Sequence, residues 1–78
     1  MQAADSGGGR ICSRSALAKN VWRLRKRNGW TQEYLADRCK LHKNHIGMIE
    51  RAEIAVTVDT LDILSEAFGV RPAKLLGS

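Results

Sequence analysis

The stretch from Gly29 to Arg51, GWTQEYLADRCKLHKNHIGMIER, contains two short segments with apolar residues at helical spacing. Thr31 precedes the first segment, and its hydroxyl can accept a hydrogen bond from a backbone N–H of the first helical turn. The second segment, residues 43–51, resumes the same period after residues 40–42, which have room only for a tight turn. The stretch therefore predicts two helices joined by about three residues and packed against each other.

The chain on either side of this stretch predicts three more helices. Ser15 can cap a long basic helix, and Gly29 can close it in the left-handed conformation. Thr57 can cap a helix over residues 58–68, and Pro72 suits the first position of a short final helix. No segment alternates apolar and polar residues over the length of a strand. These helices and their short connections predict a compact all-α fold.

The first residues differ in composition from the rest of the chain. Residues 1–14 include a run of three glycines and show no apolar periodicity. We therefore expect a flexible tail over residues 1–14 and one domain over residues 15–78. A chain of 78 residues can bury one modest core, which excludes a two-domain enzyme.

Basic residues outnumber acidic ones, 13 to 8, and they are unevenly distributed. Most of the bases lie before residue 52, whereas acids predominate after it. This asymmetry favours a polyanion such as nucleic acid as partner, although a solvated basic face kept for solubility remains open. No stretch is apolar enough to span a membrane, and the two cysteines, Cys12 and Cys39, are too few for a disulfide framework. We expect reduced thiols in a cytoplasmic protein.

The order of residues in these helices resembles the phage-repressor and Cro-like (Xre-type) helix-turn-helix family. The family pattern is Gly, an apolar residue, Thr-Gln-x-x-Leu-Ala, a short turn, Ile-x-x-Ile-Glu-Arg-Gly, and later Leu-Gly-Val-x-Pro. This chain matches it at Gly29–Ala36, Ile46–Arg51 and Phe68–Pro72. The resemblance covers about Leu17 to Leu76 and implies a five-helix, lambda-repressor-like domain that binds double-stranded DNA.

In that family the second helix of the motif enters the major groove with its N-terminal residues at base edges. The resemblance assigns base contacts to Lys43, Asn44, His45 and Met48. Their chemistry suits the role, because Asn pairs with adenine, Lys donates to guanine and Met can contact a thymine methyl. An ordinary exposed helix face is the alternative for these positions.

The resemblance also implies contacts with the DNA backbone and one ion pair. The expected phosphate ligands are Arg25, Thr31, Gln32, His42 and Arg51. Arg25 is also expected to pair with Glu50, fixing the first helix against the recognition helix. Gln32 has an alternative role as a capping side chain next to Thr31.

Three positions depart from the family pattern. Ala52 stands where the family has Gly, so the left-handed turn there is either strained or built differently. Residues 53–56 replace a loop that relatives often fill with phosphate-binding side chains, which puts those contacts in doubt. Gly47 interrupts the recognition helix and indicates either close approach to DNA or a tolerated imperfection.

One short helix reads only a few base pairs, so specificity calls for a symmetric dimer on two half-sites. Apolar residues beyond the motif either form that dimer surface or complete the core. The predicted dimer residues are Ile54, Val56, Ile63, Val70 and Leu75.

The sequence thus predicts a homodimeric transcription regulator that occupies a palindromic operator and blocks or recruits RNA polymerase. It resembles Cro-type repressors and, in residues 41–51, the controller proteins of restriction–modification operons. An antitoxin-like interaction module with secondary DNA binding is the alternative. No catalytic set is present, and no cofactor is expected. The spacing of Cys39, His42 and His45 provides three candidate zinc ligands, but His45 is expected to face away from Cys39.

Overall fold

The computed structural model describes residues 14–77, and all regular secondary structure in that range is helical. None of the helices in this range is long and apolar enough to cross a membrane. The fold is the all-α arrangement that the sequence predicts. Its helices are α1 (Arg14–Arg27), α2 (Gln32–Cys39), α3 (Lys43–Glu50), α4 (Val58–Phe68) and α5 (Pro72–Leu76).

The helix ends follow local capping chemistry. Thr57 caps α4 by accepting a hydrogen bond from the backbone N–H of Thr60 at 3.1 Å, and Gly69 closes α4 with φ at +71°. The start of α1 differs from the prediction, because Arg14 is already helical and Ser15 lies inside the first turn. The remainder of the predicted tail, residues 1–13, lies outside the described residues.

The core lies where the helices converge. α1 packs against α3 and α5, while α2 packs against α3 and α4. Each fully buried Leu or Ile contributes roughly 1.5–3 kcal/mol through the hydrophobic effect. The buried cluster consists of Leu17, Val21, Leu35, Ala36, Cys39, Ile46, Ile49, Leu64 and Leu75.

Helix α5 is held against α1 by a polar side chain. The amide nitrogen of Asn20 donates to the carbonyl oxygens of Leu75 and Gly77, both at 2.7 Å. These bonds satisfy carbonyls that the end of a helix leaves without a partner. Leu75 itself is completely buried in the core, so its predicted place on a dimer surface is wrong. A five-residue helix is too short for its apolar pattern to distinguish a core residue from a surface residue.

Candidate nucleic-acid interface

The turn between α2 and α3 sets the position of both helix starts. Thr31 caps α2, its hydroxyl accepting the backbone N–H of Tyr34 at 2.9 Å. Lys40 ends α2 in the left-handed conformation, with φ at 58°. His42 caps α3, because its Nδ1 accepts the backbone N–H of Asn44 at 3.1 Å. No sequence signal predicts this cap, since His is not among the residues preferred at the N-cap.

A buried polar junction fixes α1, α2 and α3 relative to one another. The guanidinium of Arg25 donates to both carboxylate oxygens of Glu50, at 2.6 and 3.0 Å, and to the carbonyl of Trp30 at 2.8 Å. Gln32 adds a hydrogen bond from its amide nitrogen to Glu50 at 3.0 Å. The two charged side chains are only 10% and 4% exposed. The structure therefore brings together the pair that the resemblance implied.

The same junction limits what Arg25 and Gln32 can offer DNA. Arg25 is buried and uses three of its five N–H groups within the protein. Gln32 is half-buried and uses one amide N–H on Glu50. Both residues position the motif, and their phosphate contacts remain predictions.

Two open grooves meet along this surface. The first lies at the start of α2 and includes Lys26, Gly29 and Thr31 in its lining. The second runs along α3 and is lined by Asn44, Gly47, Met48, Arg51 and Glu53, among others. Gln32 and Lys43 line both grooves, so the surface is continuous from the N-terminus of α2 to the end of α3.

The groove along α3 brings together most of the predicted base-contacting residues, but not all of them. Lys43 and Asn44 are exposed, and Met48 is half-buried beside them. His45 does not line this groove. Successive residues of a helix turn by about 100°, which places His45 on the flank of α3 rather than on the face that includes Lys43.

The residues that follow α3 form a tight reversal. Ala52 has φ at 59°, so it keeps the left-handed conformation that the family pattern gives to Gly. A side chain in that conformation costs roughly 1–2 kcal/mol. After the reversal, Glu53 binds the guanidinium of Arg51 through both carboxylate oxygens, at 2.9 and 3.3 Å. These hydrogen bonds lower the pKa of Glu53 and raise the pKa of Arg51.

The predicted dimer residues divide between core and surface. Ile54, Val56 and Val70 are half-buried and pack against the core cluster. Ile63 is 37% exposed and is the member of the set most open to a partner. With Leu75 in the core, four residues of the predicted dimer set remain.

Aromatic residues flank the motif. Trp30 stacks on Phe68 with ring centroids 5.5 Å apart, which ties the start of α2 to the end of α4. Arg38 lies over the Trp30 ring at 4.8 Å, a contact that the sequence did not indicate. Trp22 is half-exposed on α1, and the ammonium of Lys26 lies 5.9 Å from its ring.

Comparison with known proteins shows which sequences this chain resembles. A family model described as helix-turn-helix matches residues 23–75. The control protein C.SmaI of Serratia marcescens is 45% identical over 60 residues, which cover 77% of this chain and 71% of the relative. The control protein C.BamHI of Bacillus amyloliquefaciens is 44% identical over 54 residues, which cover 69% of this chain and 65% of the relative.

Solved structures show the same fold. The hypothetical transcription factor NHTF from Neisseria superposes with a TM-score of 0.81 at 27% identity, covering 99% of this chain and 87% of that one. The restriction–modification controller protein C.AhdI from Aeromonas hydrophila gives a TM-score of 0.76 at 26% identity, covering 80% of this chain and 94% of that one.

Proposed function

The chain belongs to the helix-turn-helix family of transcription regulators, and from this membership we propose that it binds a palindromic operator in double-stranded DNA as a homodimer. The observation that carries the proposal is the continuous surface that joins the start of α2 to one face of α3. One end of this surface offers backbone N–H groups and cations to phosphates, and the other offers side chains to base edges.

The face of α3 has the chemistry for reading bases in the major groove. Asn44 can bind N6 and N7 of adenine, and Lys43 can donate to O6 or N7 of guanine. Met48 lies one helical turn after Asn44, and its apolar side chain suits a thymine methyl. All three residues line the same groove, so they can approach one DNA edge together.

The start of α2 has the chemistry for holding the DNA backbone. Thr31 accepts a helix N–H but keeps its hydroxyl proton for a phosphate oxygen, and Lys26 and Lys43 place cations in the same groove. Free N–H groups in the first turn of α2 favour an anion at this point. Arg25 and Glu50 keep this groove at a fixed angle to α3.

The proposed dimer places two α3 helices about one turn of DNA apart. Its surface is centred on Ile63, with the half-buried Ile54, Val56 and Val70 beside it. An Ile63→Glu protein should therefore sediment as a monomer at concentrations at which the natural protein is a dimer. An unchanged sedimentation coefficient would place the dimer surface elsewhere.

The similarity to control proteins suggests the biological role. We propose that the chain regulates transcription of a restriction–modification operon, including its own gene, by blocking or recruiting RNA polymerase at the operator. The function is regulatory rather than catalytic, and it is exercised on DNA in the cytoplasm.

Selection of bound fragments from a random duplex library tests the proposal. The expected product is a palindromic site with two half-sites about one helical turn apart. Enrichment of no sequence, or of a single unrepeated half-site, would contradict operator binding by a symmetric dimer.

A further inference from the structure

The guanidinium of Arg51 lies across the middle of the α3 face. A Cβ atom built on Gly47 would lie 3.0 Å from Nη1 of Arg51, so the two residues are in contact over the bare helix backbone. Gly47 is four residues from both Lys43 and Arg51, and residues at this spacing share one helix face. Because Gly47 has no side chain, the guanidinium of Arg51 can lie among the residues proposed to read bases.

A carboxylate of the same chain occupies two of the three donor nitrogens of Arg51. Nε donates to one oxygen of Glu53 at 2.9 Å, and Nη2 donates to the other at 3.3 Å. The left-handed Ala52 turns the chain back, and the backbone N–H of Glu53 bonds the carbonyl of Met48 at 2.9 Å. The carboxylate is thereby held at the edge of the reading face, with both charged side chains at least half exposed.

We propose that Arg51 reads a guanine edge through Nε and Nη2, since Nη1 lies against Gly47, and that Glu53 is its intramolecular competitor for this donor pair, so that the Arg51–Glu53 pair must open before the base is bound. The inference rests on the proposed function of the α3 face. A guanidinium makes the same kind of paired contact with two carboxylate oxygens as with O6 and N7 of guanine. The two ligands cannot use the same pair of donors at once.

The position of the guanidinium favours a base over a phosphate. It lies over Gly47 in the groove that Asn44 and Met48 also line. Lys26, a cation suited to the DNA backbone, lies in the other groove, at the start of α2. Non-specific DNA offers the α3 face no correctly placed guanine, so Glu53 retains Arg51 and opposes binding by its own charge. The pair thus raises discrimination between operator and other sequences.

Equilibrium binding to a selected operator and to a panel of its single-base-pair variants tests this inference. The Arg51→Gln protein should lose preference for one G·C pair in each half-site, by roughly 5- to 150-fold. The Glu53→Gln protein should bind non-specific DNA several-fold more tightly than the natural protein does. That gain should shrink when Gln already replaces Arg51, because no guanidinium is left to release.

Two results would overturn the inference. A loss in Arg51→Gln that is uniform over the panel, with a salt slope reduced by about one, would make Arg51 a phosphate ligand. An equal gain from Glu53→Gln in both backgrounds would mean that Glu53 only repels the DNA backbone. If the natural protein selects no site at all, the proposed function fails as well, whereas an unchanged Arg51→Gln profile on a selected site refutes this inference alone.

A Gly47→Ala protein provides an independent check that does not remove a charge. The added methyl group forces the flexible end of Arg51 to shift, while Ala favours the helix more than Gly does. The variant should melt no lower than the natural protein and should lose preference at the same G·C pair. A retained preference at that pair would contradict the placement of Arg51.

Discussion

Replacing Glu50 with Ala should destabilise the domain far more than replacing Glu53 with Ala, although each removes one carboxylate from an Arg ion pair. Glu50 accepts three hydrogen bonds, two from Arg25 and one from Gln32, and its side chain is 4% exposed. Its loss leaves the buried charge of Arg25 without a counterion. Removing one member of a buried pair costs about 3–5 kcal/mol.

The matched control is the exposed pair. Glu53 is 50% exposed and Arg51 is 60% exposed, so water screens this pair and the Glu53→Ala change should cost little stability. For a domain of this size, 1 kcal/mol corresponds to roughly 4–8 °C in Tm. We therefore expect a fall of at least about 12 °C for Glu50→Ala and a much smaller fall for Glu53→Ala.

Melting followed by circular dichroism, at one protein concentration for all variants, measures both changes. Glu50→Gln separates charge from shape, since it keeps a hydrogen-bond acceptor for Gln32 and removes the counterion of Arg25. It should fall between the natural protein and Glu50→Ala. If Glu50→Ala melts within a few degrees of Glu53→Ala, burial does not make the Arg25–Glu50 pair important for stability.

Three further predictions concern other features of the domain. Ala52→Gly should raise the free energy of unfolding by about 0.5–1 kcal/mol, because Gly adopts the left-handed conformation without strain. Denaturant unfolding measures this change, and a loss of stability would show that Ala52 is not strained. Thr31→Ala and Thr57→Ala should each cost about 1 kcal/mol as lost helix caps, yet only Thr31→Ala should also weaken DNA binding; equal binding would remove Thr31 from the interface. In a Cys12→Ser protein, Cys39 should react with a disulfide reagent much more slowly in the folded state than in the unfolded state. Burial raises the pKa of its thiol and blocks access of the reagent. Equal rates in the two states would place Cys39 outside the core.

The helices were predictable because their signals are local. Apolar residues at helical spacing, such as Leu17 and Val21, mark the buried face of α1, and hydroxyl caps such as Thr31 and Thr57 mark helix starts. The cap at His42 was not predictable in the same way. An imidazole accepts the helix N–H only in the particular side-chain orientation that the turn imposes.

The candidate interface was predictable in composition but not in detail. The resemblance assigned Lys43, Asn44 and Met48, and the structure places all three on one groove. It also assigned His45, whose side chain the helical rotation carries to the flank of α3. The pairing of Arg51 with Glu53 was not predictable, because it depends on the left-handed turn at Ala52, which the sequence left open.

Ala52 shows how tertiary context can override a local preference. The family pattern has Gly at this position, and the substitution left open whether the left-handed turn survives. The structure keeps φ at 59°, and the backbone N–H groups of Ala52 and Glu53 bond the carbonyls of Ile49 and Met48. These bonds hold the reversal in place despite the strain.

Quantitative binding of a selected operator and its single-base-pair variants by Asn44→Ala and His45→Ala tests most directly whether the groove face of α3 reads DNA. Asn44→Ala should lose preference at one base pair in each half-site, worth roughly 1–3 kcal/mol, while His45→Ala should keep the profile of the natural protein. An unchanged profile for Asn44→Ala, or relaxed specificity in His45→Ala instead, would show that a different face of the helix meets the bases.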